Sequence, residues 1–420
     1  MPKPNLCLAH SGGVTTILNT TAAASIRAAH ASKAFAKIYA AEFGLNGLLQ
    51  GRLFDLTYLD NHALDLLAQT PGSVFGSCRY KLPHYTENPT PYHSLFKTCQ
   101  QFNIQYLLYQ GGNDSQDTTC KIAAAQTHFH HPLTILGLPK TIDNDLVGTD
   151  FCPGYPSAAK YIATSLQEAA LDTYAMSRNS TQVFILEVMG RHTGWLALAA
   201  GLNRQQPQQA PHCILTPENP FCQTQWLDYV QHCTHAYGFC VIVASEGITH
   251  ANGHRLMTHN NQDAFGHQQL GGVGAYLANL IRQKTKLKAH WALPDYLQRS
   301  AGHLRAKTDV ICAENIGKNA IYEILNLEKP TMLGLKRNTS TSHPTWQINQ
   351  IDLKTCANQE RTLPHNFIDP EHYLLSKTAQ DYLNPLLSGE IYPSYHCGVP
   401  KYFDRKHLQL NTYNHTVYNL

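Results

Sequence analysis

The sequence predicts an α/β fold with mostly parallel, doubly wound sheets. Three observations carry this. Two strand–glycine pair–helix units, opening near residues 5 and 104, alternate as β-α-β repeats do. The apolar run over residues 133–138 reads as a further short buried strand. Two more hydrophobic runs, 182–188 and 239–244, end in polar clusters. That is where an α/β sheet presents its ligand loops, outside the carboxyl ends of its strands.

Residues 5–9 form the first strand, followed by Ser11-Gly12-Gly13-Val14 and an Ala-rich helical pattern from about 18 to 41. Backbone donors at such a helix N-terminus can face an anion. The stretch is neither a Walker A nor a G-x-G-x-x-G motif. Residues 45–49 and 72–75 read as strand and loop, and Gly76-Ser77-Cys78-Arg79 as a small-residue turn ending in a fork-shaped donor. A strand over 104–109 leads through Gln110-Gly111-Gly112-Asn113-Asp114-Ser115 into a helix over about 117–127. After the 133–138 strand, Pro139 stops the ladder. The loop beyond it offers Lys140, Thr141, Ile142, Asp143, Asn144 and Asp145. Alone, these Asp and Asn residues could simply make turns.

A helix over about 157–174 precedes the 182–188 strand, which ends in Met189-Gly190-Arg191-His192; an Ala-rich helix then runs to 202. The 239–244 strand ends in Ser245-Glu246-Gly247, and residues 249–269 are polar and turn-like. Gly271-Gly272-Val273-Gly274 opens a helix to about 283; following a loop rather than a strand, it reads as packing, not phosphate binding. Residues 290–300 hold Tyr296 and Arg299, and a long helix spans about 305–326. Beyond Pro330 the chain is polar and lacks clear periodicity; Tyr392, Tyr395, Tyr402, Tyr413 and Tyr418 suggest a tail packed on the body.

At 420 residues the chain can form two domains or one large one. Its 43% apolar and 15% charged residues with net charge +3 indicate neither disorder nor a basic nucleic-acid face. No run reaches the roughly 18 apolar residues of a membrane span. The 12 cysteines form no C-x-x-C pair and read as reduced, mostly buried thiols. The His128, His130, His131 cluster lacks a partnered Cys or carboxylate at metal-ligand spacing. These features predict a cytoplasmic globular protein without nucleic-acid or membrane partners.

Glycine- and proline-marked loops thus carry Arg79, Asp114, Lys140 with Asp143 and Asp145, and Arg191 with Glu246. Cations, carboxylates and backbone donors together suit phosphoryl transfer, which needs positioning, charge neutralisation, Mg²⁺ and a base.

In order, Gly-Gly-Asn-Asp-Ser, Pro-Lys-Thr-Ile-Asp-Asn-Asp, Met-Gly-Arg, Ser-Glu-Gly and Tyr296-x-x-Arg299 resemble the 6-phosphofructokinases over about residues 11–335. Lys140 and Asp114 make the chain similar to the family's pyrophosphate-dependent branch, since ATP users usually carry Gly at both places. An Asp beside the donor repels an α-phosphate, and a Lys can neutralise the leaving phosphate. The resemblance implies two Rossmann-like domains with the active site in the cleft between them. A donor domain would span 1–155 with part of 300–420, a sugar-phosphate domain 156–299, and a C-terminal extension 336–420.

The same resemblance implies roles. Asp143 is the base for the sugar 1-hydroxyl, with Lys140 and Asp114 in the catalytic set. Gly12 and Arg79 hold the donor. Thr141, Ile142, Met189, Gly190, Arg191, Glu246, Tyr296 and Arg299 hold the sugar phosphate, and Asn113 and Asp145 face Mg²⁺. The substrates would be pyrophosphate and fructose 6-phosphate, and the assembly a homodimer or homotetramer. Two departures stand out. Asn113 replaces the family's first acidic residue in this motif. Nine before Arg191 and Arg299, where many bacterial members place arginines that cross a subunit interface to the 6-phosphate, stand Gln182 and His290. The rival readings are an ATP-using enzyme of the same fold and a non-catalytic sugar-phosphate-binding subunit, against which Asp143, Lys140 and Asp145 speak.

Overall fold

The computed structural model describes residues 2–257, 270–339, 344–369 and 371–412. Among them, β1 (Asn5–His10), β2 (Ile38–Ala41), β3 (Arg52–Asp55), β4 (Ile104–Gly111) and β5 (Thr134–Pro139) begin a large sheet. A second sheet is formed by β6 (Val183–Val188), β7 (Cys213–Leu215), β8 (Cys240–Ser245) and β9 (Ala289–Ala292), ordered β7-β8-β6-β9 and parallel throughout. β10 (Arg305–Ala306) pairs with β13 (Glu390–Ile391), and β14 (Tyr395–His396) with β15 (Val399–Pro400). β11 (Thr331–Asn338), β12 (Thr345–Asp352) and β16 (Gln409–Thr412) return to the large sheet, whose order is β12-β11-β5-β4-β1-β2-β3-β16. Its centre, β11-β5-β4-β1-β2, is parallel, and its margins are antiparallel.

The helices are α1 (Leu18–Ser32), α2 (Leu45–Gln50), α3 (Asn61–Gln69), α4 (Thr90–Gln101), α5 (Asn113–His128) and α6 (Tyr155–Met176). They continue with α7 (Trp195–Ala199), α8 (Gln223–Tyr237), α9 (Val273–Thr285), α10 (Leu297–Ser300), α11 (Lys307–Leu325), α12 (Leu353–Cys356) and α13 (Lys377–Leu387). β1 and β8 are buried along their whole length. Covered on both faces, such strands read as unbroken apolar runs rather than alternating ones.

One core connects the two sheets, running from Leu136 on β5 through Ile162 on α6 to Val243 on β8, with Leu383 on α13. Small residues let its helices approach closely. A Cβ on Gly317 of α11 would lie 2.3 Å from the Thr21 carbonyl and 2.7 Å from Ala24 Cβ on α1. Buried Asp309 on α11 accepts from the N–H groups of Gly154 and Ser157 at 2.9 and 3.1 Å, and from Ser157 Oγ at 2.6 Å. It therefore satisfies donors that α6 leaves open at its start. Burial raises the Asp309 carboxyl to about 6 against the pull of these bonds.

Several local expectations are corrected. The first helix stops at Ser32, where Lys33 turns left-handed, and residues 38–41 are a strand paired with β1. Helix propensity in this Ala-rich stretch yields to sheet pairing. Residues 45–50 are helical rather than extended, and β3 follows. Arg79 follows no regular strand; a single bridge, Ser11 to Cys78, ties its loop to the sheet. The chain beyond 330 builds three strands of the large sheet rather than only packing on the body. Tyr392, Tyr395 and Tyr402 are exposed; the tail is fixed instead by buried Phe403 and by β16 on β3. Tyr413, Tyr418 and residues 258–269 of the polar stretch lie outside the described residues. His128 and His131 stack on Tyr85 and Phe96, each at 4.8 Å. Among the described residues no cluster of three or more His, Cys, Asp or Glu side chains is placed to hold a metal, and no helix is long and apolar enough to cross a membrane.

Candidate active site

The carboxyl ends of β1, β4 and β5 in one sheet and β6 and β8 in the other open onto a cleft of about 790 Å³. Every site residue expected from the sequence lines it except Gly190. Gly190 acts on its shape from behind. At φ +147° a Cβ there would lie 2.6 Å from Ser245 Oγ. Its N–H donates to Glu246 Oε1 at 3.4 Å, orienting a carboxylate that does face the cleft.

On the large-sheet side, the first glycine loop, Gly12 to Val14, lines the cleft. The Gly12 N–H is already taken by the Cys78 carbonyl at 2.9 Å, and α1 begins only at Leu18. The loop instead turns carbonyls inward. Lys140, 2% exposed, donates from Nζ to Ser11 O at 2.9 Å and to Gly13 O. With φ +75°, Gly12 needs the left-handed conformation glycine tolerates, and a Cβ there would stand 3.4 Å from Lys140 Nζ. The helix N-terminus that does open onto the cleft is that of α5, directly after Gly112, with Asn113 and Asp114 in its first turn. First-turn N–H groups lack intrahelical partners and favour anions.

Between the walls lies the 140–145 loop. Asn144 is left-handed at φ +56°, and Asp143 and Asp145 on either side of it line the cleft. Thr141 Oγ1 accepts from the Asp143 N–H at 3.0 Å, and Thr193 Oγ1 donates to the Asp143 carbonyl at 3.1 Å. Burial dominates the electrostatics here. It raises the Asp143 carboxyl against the opposing charges of Arg191, Lys140, His192 and Arg299. Asp145 is pushed up to about 7 by burial and then by Asp143, and Glu246 to about 7 by the same two causes. Lys140 is pulled down to about 7 by burial, with Arg299 and Arg79 adding repulsion. Several carboxylates in one enclosure resist joint ionisation until a cation joins them.

On the small-sheet side, Met189, Arg191 and His192 follow β6, and Glu246 follows β8. Buried Gln298 receives the Met189 N–H at 3.1 Å, which fixes the 294–300 segment against the end of β6. Arg299 stacks on Tyr296 at 4.2 Å and reaches the opposite wall, with Nη1 3.1 Å from where a Gly13 Cβ would be. It lines both the main cleft and an adjoining hollow of about 460 Å³ that it shares with Arg79, Gly12 and Gly13. Gln182 precedes β6 and His290 is exposed on β9 paired with Phe184; neither lines the cleft.

Sequence reasoning missed several lining residues: Val14, Ser115, His192, Thr193, Asp295, Asn358 and Glu360. Thr193 and His192 adjoin Met-Gly-Arg and were findable from it. Asn358 and Glu360 come from an irregular polar stretch that carried no signal.

With this geometry in view, four similarities bear on identity. The family model described as phosphofructokinase matches residues 5–324. Over 410 residues the chain is 44% identical to a pyrophosphate–fructose 6-phosphate 1-phosphotransferase of Xanthomonas campestris pv. campestris, covering 97% of both chains. A protein of the same name from Halomonas elongata is 40% identical over 402 residues, with 96% of both chains covered. The crystal structure of pyrophosphate-dependent phosphofructokinase from Marinobacter aquaeolei superposes with a TM-score of 0.88 at 38% identity, covering 99% of this chain and 98% of that one.

Proposed function

The chain belongs to the phosphofructokinase family, and from that premise we propose that it transfers a phosphoryl group from pyrophosphate to the 1-hydroxyl of fructose 6-phosphate. The products are fructose 1,6-bisphosphate and phosphate. It is a pyrophosphate-dependent phosphotransferase with the phosphofructokinase fold. One observation carries the reading: a buried lysine, Lys140, stands between the glycine loop and the carboxylate pair Asp143 and Asp145, with Asp114 on the same cleft.

In this reading the large-sheet residues hold the donor, and 156–299 with the small sheet hold the sugar. Arg79, Lys140 and the α5 N-terminus neutralise the two phosphates of pyrophosphate. Asp114 faces where a nucleotide's α-phosphate would extend and repels it. Arg191, Tyr296 and Arg299 receive the sugar phosphate, while Met189 and Glu246 shape its pocket. Asp143 takes the proton from the 1-hydroxyl. Its raised affinity for protons in the enclosed cleft, countered by the neighbouring Arg191, Lys140 and Arg299, suits a group that must both ionise and accept a proton. Arg299 spans both walls and draws the reacting phosphate towards the hydroxyl.

The donor set fits Mg²⁺. Asn113 Oδ1 and Asp145 Oδ1 are buried without hydrogen-bond partners, and both residues line the cleft. Mg²⁺ is commonly held by one or two protein oxygens together with water and substrate phosphates. Held there, it would supply charge neutralisation to the pyrophosphate oxygens. We further place the enzyme in the cytoplasm, in sugar-phosphate breakdown and synthesis, as a homodimer or homotetramer. Exposed apolar side chains on α6 (Leu171, Tyr174, Met176) and along β9–α10 (Trp291, Leu293, Leu297) support an assembly.

The test is turnover of fructose 6-phosphate with pyrophosphate and, separately, with ATP at equal Mg²⁺. Phosphate release and bisphosphate formation should appear with pyrophosphate alone. Equal or better turnover with ATP refutes the donor assignment.

A further inference from the structure

The segment 358–361 lies beyond the part of the chain that the phosphofructokinase family model matches, which ends at residue 324. Yet Asn358 and Glu360 line the cleft. Three consecutive residues there touch three different parts of the site. The Gln359 carbonyl accepts from Asn113 Nδ2 at 2.7 Å, and Asn358 Nδ2 donates to Asp117 Oδ1 at 3.0 Å, both on α5. Glu360 bridges to Leu146 in the carboxylate loop and pairs with His192 on the small-sheet wall at 2.5 Å.

Arg361 then grips the carboxylate loop from behind. Its backbone N–H donates to the Asp145 carbonyl at 2.7 Å. Its guanidinium donates to the Asn144 carbonyl at 3.1 and 2.9 Å, to the Thr149 carbonyl at 3.0 Å and to the Asp150 carbonyl. Its face lies over Trp195 at 4.6 Å, and Trp195 Nε1 returns a bond to the Arg361 carbonyl at 3.1 Å. The Tyr382 hydroxyl joins the cluster, 3.2 Å from Arg361 Nη2 and 2.9 Å from Asn144 Nδ2. Asn144 is fully buried and left-handed, so its carbonyl and amide depend on these partners.

We propose that Arg361 is a positioning residue for phosphoryl transfer. It fixes the turn at Asn144 and so aims Asp143 and Asp145 into the cleft, while residues 358–360 strap the donor and sugar walls in register. The planar fork of five donors is what such a cluster of carbonyls requires, and a lysine ammonium cannot reproduce it. This rests on Asp143 being the base. If the loop instead carried no chemistry, Arg361 would be a structural tether whose loss changed stability and nothing else.

The experiment compares the parent enzyme with Arg361→Lys, Arg361→Met and Tyr382→Phe. Thermal stability, kcat, and KM for pyrophosphate and for fructose 6-phosphate are measured on each. A displacement of the reacting groups by about 1 Å costs roughly 10²-fold in rate. The two Arg361 variants should therefore lose about that much in kcat while both KM values stay within roughly threefold. Tyr382→Phe, which removes one hydroxyl, should show a smaller loss of the same kind, and added methylguanidinium should restore part of the kcat lost by Arg361→Met. A folded Arg361→Lys or Arg361→Met with kcat within roughly threefold of the parent overturns the proposal. Where neither folds, parental kcat in Tyr382→Phe overturns it. Failure of the parent itself to turn over pyrophosphate with fructose 6-phosphate refutes the functional reading instead, a separate outcome.

Discussion

Replacing Lys140 by Met should make the protein more stable and nearly inactive. Lys140 is 2% exposed, and its affinity for protons falls from the ordinary 10.5 to about 7, first because of burial and then because Arg299 and Arg79 stand nearby. At about 1.4 kcal/mol per pKa unit, that drop means the charged form is disfavoured by about 5 kcal/mol. At pH 7 most of that penalty, roughly 4 kcal/mol, is felt. Losing the contacts to the Ser11 and Gly13 carbonyls gives back about 1–3 kcal/mol. Met fills similar space without a charge, so a net gain of about 2 kcal/mol is expected, or about 2 °C in a chain of this size. The sign with pH follows. A lysine with a depressed folded-state pKa destabilises fully below about 7, and the effect fades as pH rises towards 10.5. The stability gap between variant and parent should therefore shrink between those values. Meanwhile kcat with pyrophosphate should fall about 10²–10³-fold, as when one preorganised donor is removed from a developing charge. Differential scanning fluorimetry across pH and steady-state kinetics read both effects. A lower Tm for Lys140→Met at neutral pH, or a gap that does not narrow in alkali, refutes the reasoning.

Asp143→Asn should keep the fold and reduce kcat by about 10²–10⁴-fold, the usual contribution of a general base; single-turnover rates near the parent's would remove that role. Asp114→Gly should let ATP bind without making it a good donor, and Asp114→Gly with Lys140→Gly should gain measurable ATP-dependent turnover, with coupling between the neighbouring sites. Kinetics with both donors on the parent, Asp114→Gly, Lys140→Gly and the double variant decide it, and no ATP activity in the double variant rejects the two-residue account. Arg299→Ala should raise KM for fructose 6-phosphate most and weaken pyrophosphate as well, because its guanidinium also reaches Gly13; an unchanged sugar KM places the anchor elsewhere. Asp309→Ala leaves the buried Gly154 and Ser157 N–H groups unpaired, so denaturant unfolding should show a loss of about 2–4 kcal/mol. A loss within experimental scatter shows that the α6 start does not depend on this carboxylate.

The sequence by itself determined the α/β class and the motif-borne residues of the cleft, though not Asn358 and Glu360. Strands such as β5 and β8 are short apolar runs with chemistry at their carboxyl ends, and that pattern is local, so it can be read from neighbours in the chain. Asp143, Lys140 and Asp145 were legible for the same reason: they occupy one loop. Only the tertiary structure decided the rest. Residues 38–41 became a strand because Leu6, Cys7 and Leu8 offer a ladder to pair with, a partner more than thirty residues away that outweighs helix propensity. The N–H of Gly12 is taken by a distant carbonyl, that of Cys78, a pairing that only the fold brings about. The raised affinity for protons of Asp145 and Glu246 comes from enclosure, a property of the assembled cleft and of no residue in it. Arg361 is the extreme case. It sits in a polar stretch without periodicity, and its significance arises from carbonyls contributed by a loop more than 200 residues earlier. No local pattern encodes such a meeting, because the long-range packing of α13 and Trp195 brings it about.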